Sequence, residues 1–108
     1  MDLQSKLVEK SQGLQVKFEG LLGTRNVYYN PPENKKLNYD AIVFRRSRIN
    51  SYYAGDAVYR QTYPFEVTVI TTDPDAVIID KISKLPFCSF DRSFVVDNLY
   101  HNIFTIYF

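Results

Sequence analysis

One stretch constrains the fold more than any other. In Phe65-Glu66-Val67-Thr68-Val69-Ile70-Thr71 the large apolar residues Phe65, Val67 and Val69 alternate with Glu66 and Thr68, which is the period of a strand with one face buried. Immediately after it come Asp73, Pro74 and Asp75, residue types suited to the first turn of a helix: a side-chain acceptor for free amides, a ring with helical φ, and an acid near the positive end of the dipole. Ile78, Ile82 and Leu85 then supply a helical stripe, with Lys81 and Lys84 near its end and Pro86 closing it, so a helix is expected over about 74–85. A half-buried strand that turns at once into an amphipathic helix belongs to a sheet with a helix laid on it.

The flanking sequence extends this plan. From Asp2 to about Leu22, Leu3, Leu7, Leu14, Phe18, Leu21 and Leu22 recur at helical intervals, and Gly23 is placed to stop the helix. Gly13 and the alternation of Leu14-Gln15-Val16-Lys17-Phe18 leave a helix broken near Gly13 as the competing reading. Val27-Tyr28-Tyr29 is a short β-like run stopped by Pro31 and Pro32, with a polar loop following. Residues 39–46, containing Ile42, Val43 and Phe44, read as a buried strand emerging into Arg45 and Arg46. Residues 47–63, centred on Gly55-Asp56, fit a long hairpin. Residues 88–96 and 101–108 are again β-like, with a turn at Asp97-Asn98. The expected fold is α+β, a single domain over 1–108: a mostly antiparallel sheet, an N-terminal helix and a second helix on one face, plus a long β-hairpin.

Composition narrows the chemistry. Thirteen Lys and Arg against 12 Asp and Glu give a net charge of +1, which supplies no general attraction to nucleic acid or to an anionic membrane. No apolar run approaches a membrane span, and Met1-Asp2-Leu3-Gln4-Ser5-Lys6 has no apolar signal core, so synthesis in the cytoplasm and no membrane partner are expected. One Cys and one His exclude an internal disulfide and a His/Cys metal cluster within one copy, so no metal or other cofactor is expected. The four glycines at 13, 20, 23 and 55 form no phosphate-binding fingerprint. Cys88 and His101 stand 13 apart on neighbouring β-like segments, the one arrangement open to nucleophilic catalysis, but a small buried thiol and a hydrogen-bonding surface histidine are the simpler readings. Helix capping accounts for Asp73 and Asp75. Asp91 and Asp97, six apart on an alternating strand, have the spacing to share a face; Arg92 beside Asp91 reads as an ion pair. The expectation is therefore a protein that is not an enzyme.

What remains is surface. Nine Tyr and eight Phe in 108 residues are more large aromatics than so small a body conceals, and exposed aromatic surface usually meets a partner. Phe65, Phe87, Phe90, Phe94 and Phe104, with Phe44, sit in core or sheet patterns. Tyr52, Tyr53 and Tyr59 collect in the hairpin beside Arg45, Arg46 and Arg48. Over residues 44–60 four arginines oppose Asp56, a local +3, whereas residues 65–108 carry six acids and three bases, a local −3. Such segregation suits self-association. Arginines beside tyrosines would also suit a small nucleic-acid-binding module, although such domains usually carry a net basic balance.

Several segments resemble one family. Asn26-Val27-Tyr28-Tyr29-Asn30-Pro31-Pro32, Tyr39-Asp40-Ala41-Ile42-Val43-Phe44, residues 63–70, Leu85-Pro86-Phe87-Cys88-Ser89-Phe90-Asp91-Arg92-Ser93-Phe94 and Asp97-Asn98-Leu99-Tyr100-His101-Asn102-Ile103-Phe104 look like small tail terminator or tail completion proteins of long-tailed bacteriophages. The match runs in consistent order over residues 26–108; the N-terminal helix is only loosely similar. The resemblance implies a virion protein whose copies, typically six, form a ring on the head-proximal end of the tail tube. Such a ring stops tube polymerisation, presents a surface to the head connector, and leaves a passage for DNA. Its partners would be itself, the tube protein and the connector. Ala54-Gly55-Asp56 corresponds to a family segment that usually reads Ala-Asp-Asn, so Gly55 and Asp56 depart from the pattern. A head–tail connector or minor capsid component on the portal side is the alternative.

Overall fold

A computed structural model describes residues 3–47, 50–55, 57–62 and 64–107, with side chains described outside 3–8, 50–54 and 58–62. The chain runs α1 (Leu3–Leu22), β1 (Val27–Tyr29), β2 (Ala41–Arg46), β3 (Asn50–Ala54), β4 (Ala57–Thr62), β5 (Pro64–Thr71), α2 (Val77–Ser83), β6 (Cys88–Val96) and β7 (Leu99–Tyr107). Five strands form one sheet in the order β1-β2-β5-β7-β6, and β3 and β4 form a separate two-stranded sheet. Among the described residues β1 and β2 pair in parallel and the other pairings are antiparallel. The α+β architecture, the N-terminal helix and the long hairpin are as the sequence leads one to expect.

Strand alternation decides the core. Ile42 lies opposite Val69, Phe44 opposite Val67, and Val67 opposite Phe104, so these side chains share one face with Phe65 and Ile106. Both helices cover that face: Leu14 and Phe18 of α1 and Ile78 and Ile82 of α2 join the same buried cluster. Phe18 and Phe44 meet edge to face, ring centroids 5.3 Å apart, and Gln15 Nε2 donates to the Val27 carbonyl at 2.7 Å, tying α1 to β1. The helix α1 continues unbroken through Gly13, because burial of Leu14 and Phe18 outweighs the roughly 1 kcal/mol that a mid-helix glycine costs. It ends where Gly23, at φ +82°, donates to the Glu19 carbonyl, a conformation natural to glycine.

The second helix starts later than its sequence suggests. Asp73 does not cap it: its Oδ1 accepts from the Asp75 amide at 2.9 Å, and its carbonyl accepts from Thr71 Oγ1 and the Ala76 amide. The short side chain of Asp73 satisfies a local turn, Pro74 lies in that turn, and α2 begins at Val77 behind an Ala76 that offers no side-chain cap. Its other end agrees with expectation, with Lys84 paired to Asp80 at 3.0 Å.

The molecule measures 50 × 25 × 23 Å, with a radius of gyration of 15.1 Å, against about 13 Å expected for a compact chain of this length. The β3–β4 hairpin explains the difference, since among the described residues its strands pair only with each other and not with the five-stranded sheet. The chain enters and leaves this arm at one point: the Ser47 amide donates to the Pro64 carbonyl at 3.1 Å, and Ser47 Oγ donates to the same oxygen at 3.3 Å.

Candidate interaction surface

The helices leave the second face of the sheet uncovered. There Tyr28, Val43, Arg45, Glu66, Thr68, Ile70, Ile103, His101, Arg92 and Phe94 are brought side by side by the register. The loop after β1 folds back over one end of this face: the Asn38 amide donates to Tyr28 Oη at 3.2 Å, and Lys35 Nζ sits over the Tyr28 ring at 5.9 Å from its centroid. Between this loop and the strands lies an open cleft of about 450 Å³ whose walls mix Pro31, Leu37 and Phe94 with Lys35, Arg45, Glu66 and Arg92. Its charged lining is Lys35, Arg45 and Arg92 against Glu33 and Glu66, close to balance, so it does not strongly select for either sign.

Strand geometry parts two arginines that the sequence sets together. Arg45 points to the open face, opposite Glu66, whereas Arg46 points to the helix face at the end of β2, where its Nη2 donates to Tyr29 Oη at 3.3 Å. Arg46 Nε is buried and unpartnered among the described residues. The guanidinium thus braces the junction between β1 and the root of the arm. Arg48 and Asp56 lie outside the described residues. Tyr52 and Tyr53 fall in β3 and Tyr59 in β4, with a bulge that sets Tyr52 opposite Arg60 and Tyr53 opposite Val58, leaving Tyr59 as the extra residue; their side chains lie outside the described set.

At the far edge, β6 and β7 form a hairpin. Asp97 and Asn98 close it with φ of +53° and +62°, both positive as a two-residue type I′ turn requires. Asp91 and Asp97 do not share a strand face, because Asp91 sits in a bulge between Phe90 and Arg92 and Asp97 lies in the turn. Arg92 Nη1 meets Asp91 Oδ2 at 2.8 Å, the expected ion pair. His101 is half-buried on the open face, stacked on Phe94 with centroids 4.8 Å apart, and its Nδ1 lies 3.1 Å from the Leu99 carbonyl. Cys88 lies opposite Ile106 on the helix face, five residues along β7 from His101 and on the other side of the sheet. At about 3.4 Å per residue the two are roughly 17 Å apart along the strand, and burial pushes the Cys88 thiol up rather than towards thiolate. The nucleophile and base arrangement left open by the sequence is not formed. Among the described residues no three of His, Cys, Asp and Glu converge on a metal position, and no helix is long and apolar enough to cross a membrane.

The phenylalanines divide differently from expectation. Phe44, Phe65 and Phe104 are buried, but Phe87 and Phe90 are 79% and 58% exposed, and Phe94, Val95 and Val96 are also exposed. Phe90, Phe94, Val95 and Val96 lie in β6, the outermost strand, which among the described residues has no neighbour beyond it, and Phe87 precedes that strand in a turn at φ +58°. Period two says nothing of a strand's rank in a sheet. Comparison of the chain with known protein families and with curated protein sequences finds no match.

Proposed function

We propose that this protein is a ring-forming structural component of a phage tail, capping the head-proximal end of the tail tube, ending tube polymerisation and offering the attachment surface for the head connector. The observation that carries this reading is the ordered resemblance over residues 26–108 to tail terminator and tail completion proteins. The shape of the protomer supports it. A 50 Å body with an arm attached through one hydrogen-bonded root is suited to reaching onto a neighbour, and heterologous contacts repeated around an axis close into rings. The arm with Tyr52, Tyr53, Asp56 and Tyr59, and its root with Arg45, Arg46 and Arg48, are the contact elements of this reading. Its mechanism is complementarity of shape and charge, with DNA meeting the ring only in passage and with the virion as the final location.

Native mass measurement and electron microscopy, alone and with tube protein, test it. A ring of about six copies, or a ring formed on tube ends, is expected; a chain that stays monomeric with both tube protein and connector overturns it. Imaging of labelled particles that places the chain on the portal rather than the tube would favour the connector alternative.

A further inference from the structure

The free edge of β6 is matched to itself. The two-residue turn makes Val96 and Leu99 a hydrogen-bonded pair, and from there the antiparallel ladder alternates: Phe94 with His101 and Arg92 with Ile103 are bonded, whereas Val95 and Ser93 aim their amides and carbonyls away from β7. Beyond the bulge the order resumes, with Ser89 bonded to Thr105. The Tyr107 amide donating to the Phe87 carbonyl at 3.0 Å confirms the phase. Four residues therefore present unpaired backbone groups to the outside: Cys88, Phe90, Ser93 and Val95. All four carry their side chains on the helix face, opposite Ile106, Phe104, Asn102 and Tyr100.

We infer that two copies of this chain join through β6 as an antiparallel two-fold pair centred between Asp91 and Arg92. In that register Cys88 faces the partner's Val95 and Phe90 faces the partner's Ser93. It is the one two-fold register in which all four outward-facing residues meet outward-facing residues. Asp91 then lies opposite the partner's Arg92, and the reverse, so the 2.8 Å pair within each chain becomes a four-charge cluster of alternating sign. A bulge and a charge pair in the middle of an edge normally deter foreign strands. Here the same interruption occurs at the same place in both strands, so it excludes strands that lack it and admits a second copy. The contact would cover Phe90, Phe94, Val95 and Val96, apolar side chains that remain exposed in the single chain. It would join two five-stranded sheets into one of ten strands, with all four helices on one side. This contact is isologous, hence distinct from the heterologous contact that closes a ring, and it stands or falls independently of the ring reading.

Sedimentation or native mass measurement on the full chain tests it, together with amide exchange. Dimers, or larger species built from pairs, are expected at micromolar concentration, with the Ser93 and Val95 amides protected in a concentration-dependent manner. Ser93→Pro removes an outward amide that β7 does not use, so the hairpin survives while the pair weakens at least about tenfold. Arg92→Asp sets four carboxylates together and weakens the pair by a similar factor; adding Asp91→Arg to it restores pairing. Unprotected Ser93 and Val95 amides in the wild-type protein, or association unchanged by both Ser93→Pro and Arg92→Asp, would overturn the inference.

Discussion

Individual residues carry much of this fold's information through backbone conformation. Asp97 and Asn98 hold left-handed φ values that a β-branched residue resists by about 1–2 kcal/mol, and their short polar side chains are among the few that tolerate them. Asn98→Val should lower stability by about that amount in urea unfolding, whereas Asn98→Gly, which yields the preferred Asp-Gly turn, should be neutral or stabilising. Cys88 sits at the opposite end of the same strand. Because burial raises its folded pKa, the unfolded chain ionises first as the solution becomes alkaline. Its contribution is therefore present in full below the ordinary thiol pKa and is lost as pH rises through the folded value. Stability should decline as pH rises from the ordinary thiol pKa through the raised folded value, and Cys88→Ala should flatten this part of the profile in a denaturant series measured against pH. A profile of unchanged slope would show that the thiol does not set it.

At the scale of elements, the β3–β4 arm and the sheet are separable. The arm's two ends are already hydrogen-bonded between Ser47 and Pro64, and among the described residues its strands pair only with each other. Replacing residues 48–63 with a two-residue glycine-rich turn should accordingly leave circular dichroism and cooperative unfolding close to those of the intact chain, while abolishing association with tube protein if the arm makes that contact. Loss of cooperative unfolding would instead show that the arm supports the core. The edge strand β6 makes the complementary point. Its exposed Phe90 still touches the core, edge to face with Phe104 at 5.6 Å, so a residue there serves packing within the chain and remains available beyond it.

At the scale of the whole molecule, the extents argue for a protein whose surface exceeds what folding alone demands. The long axis, 50 Å, is about twice the 25 × 23 Å cross-section, and among the described residues the arm's strands pair with no strand of the large sheet. Small-angle scattering of the monomer at low concentration should give a radius of gyration above the roughly 13 Å of a compact chain, falling towards that value once the arm is excised. The second face of the sheet, where the loop after β1 and a mixed-charge cleft lie over the buried Val43, Ile70 and Ile103, carries no helix, and among the described residues the edge of β6 pairs with no further strand.

Much of this architecture is written in local order. The alternation of Phe65, Val67 and Val69, the buried Ile78 and Ile82 of the second helix, the Gly23 stop and the Asp97-Asn98 turn each depend on neighbours a few residues away, and each is found where the sequence alone puts it, although the helix itself is shorter, Val77–Ser83, and leaves Leu85 beyond its end. The Asp91–Arg92 pair is legible for the same reason. Other features depend on partners far along the chain. That Arg45 and Arg46 part company, that Asp73 serves a turn instead of the helix, that Cys88 and His101 lie on opposite faces, and above all that Phe87, Phe90 and Phe94 are exposed, follow from which strands became neighbours. A repeating pattern of side chains specifies a strand and its two faces. Only the assembled sheet decides which strand is last, and so which backbone and which aromatic rings are left for another molecule.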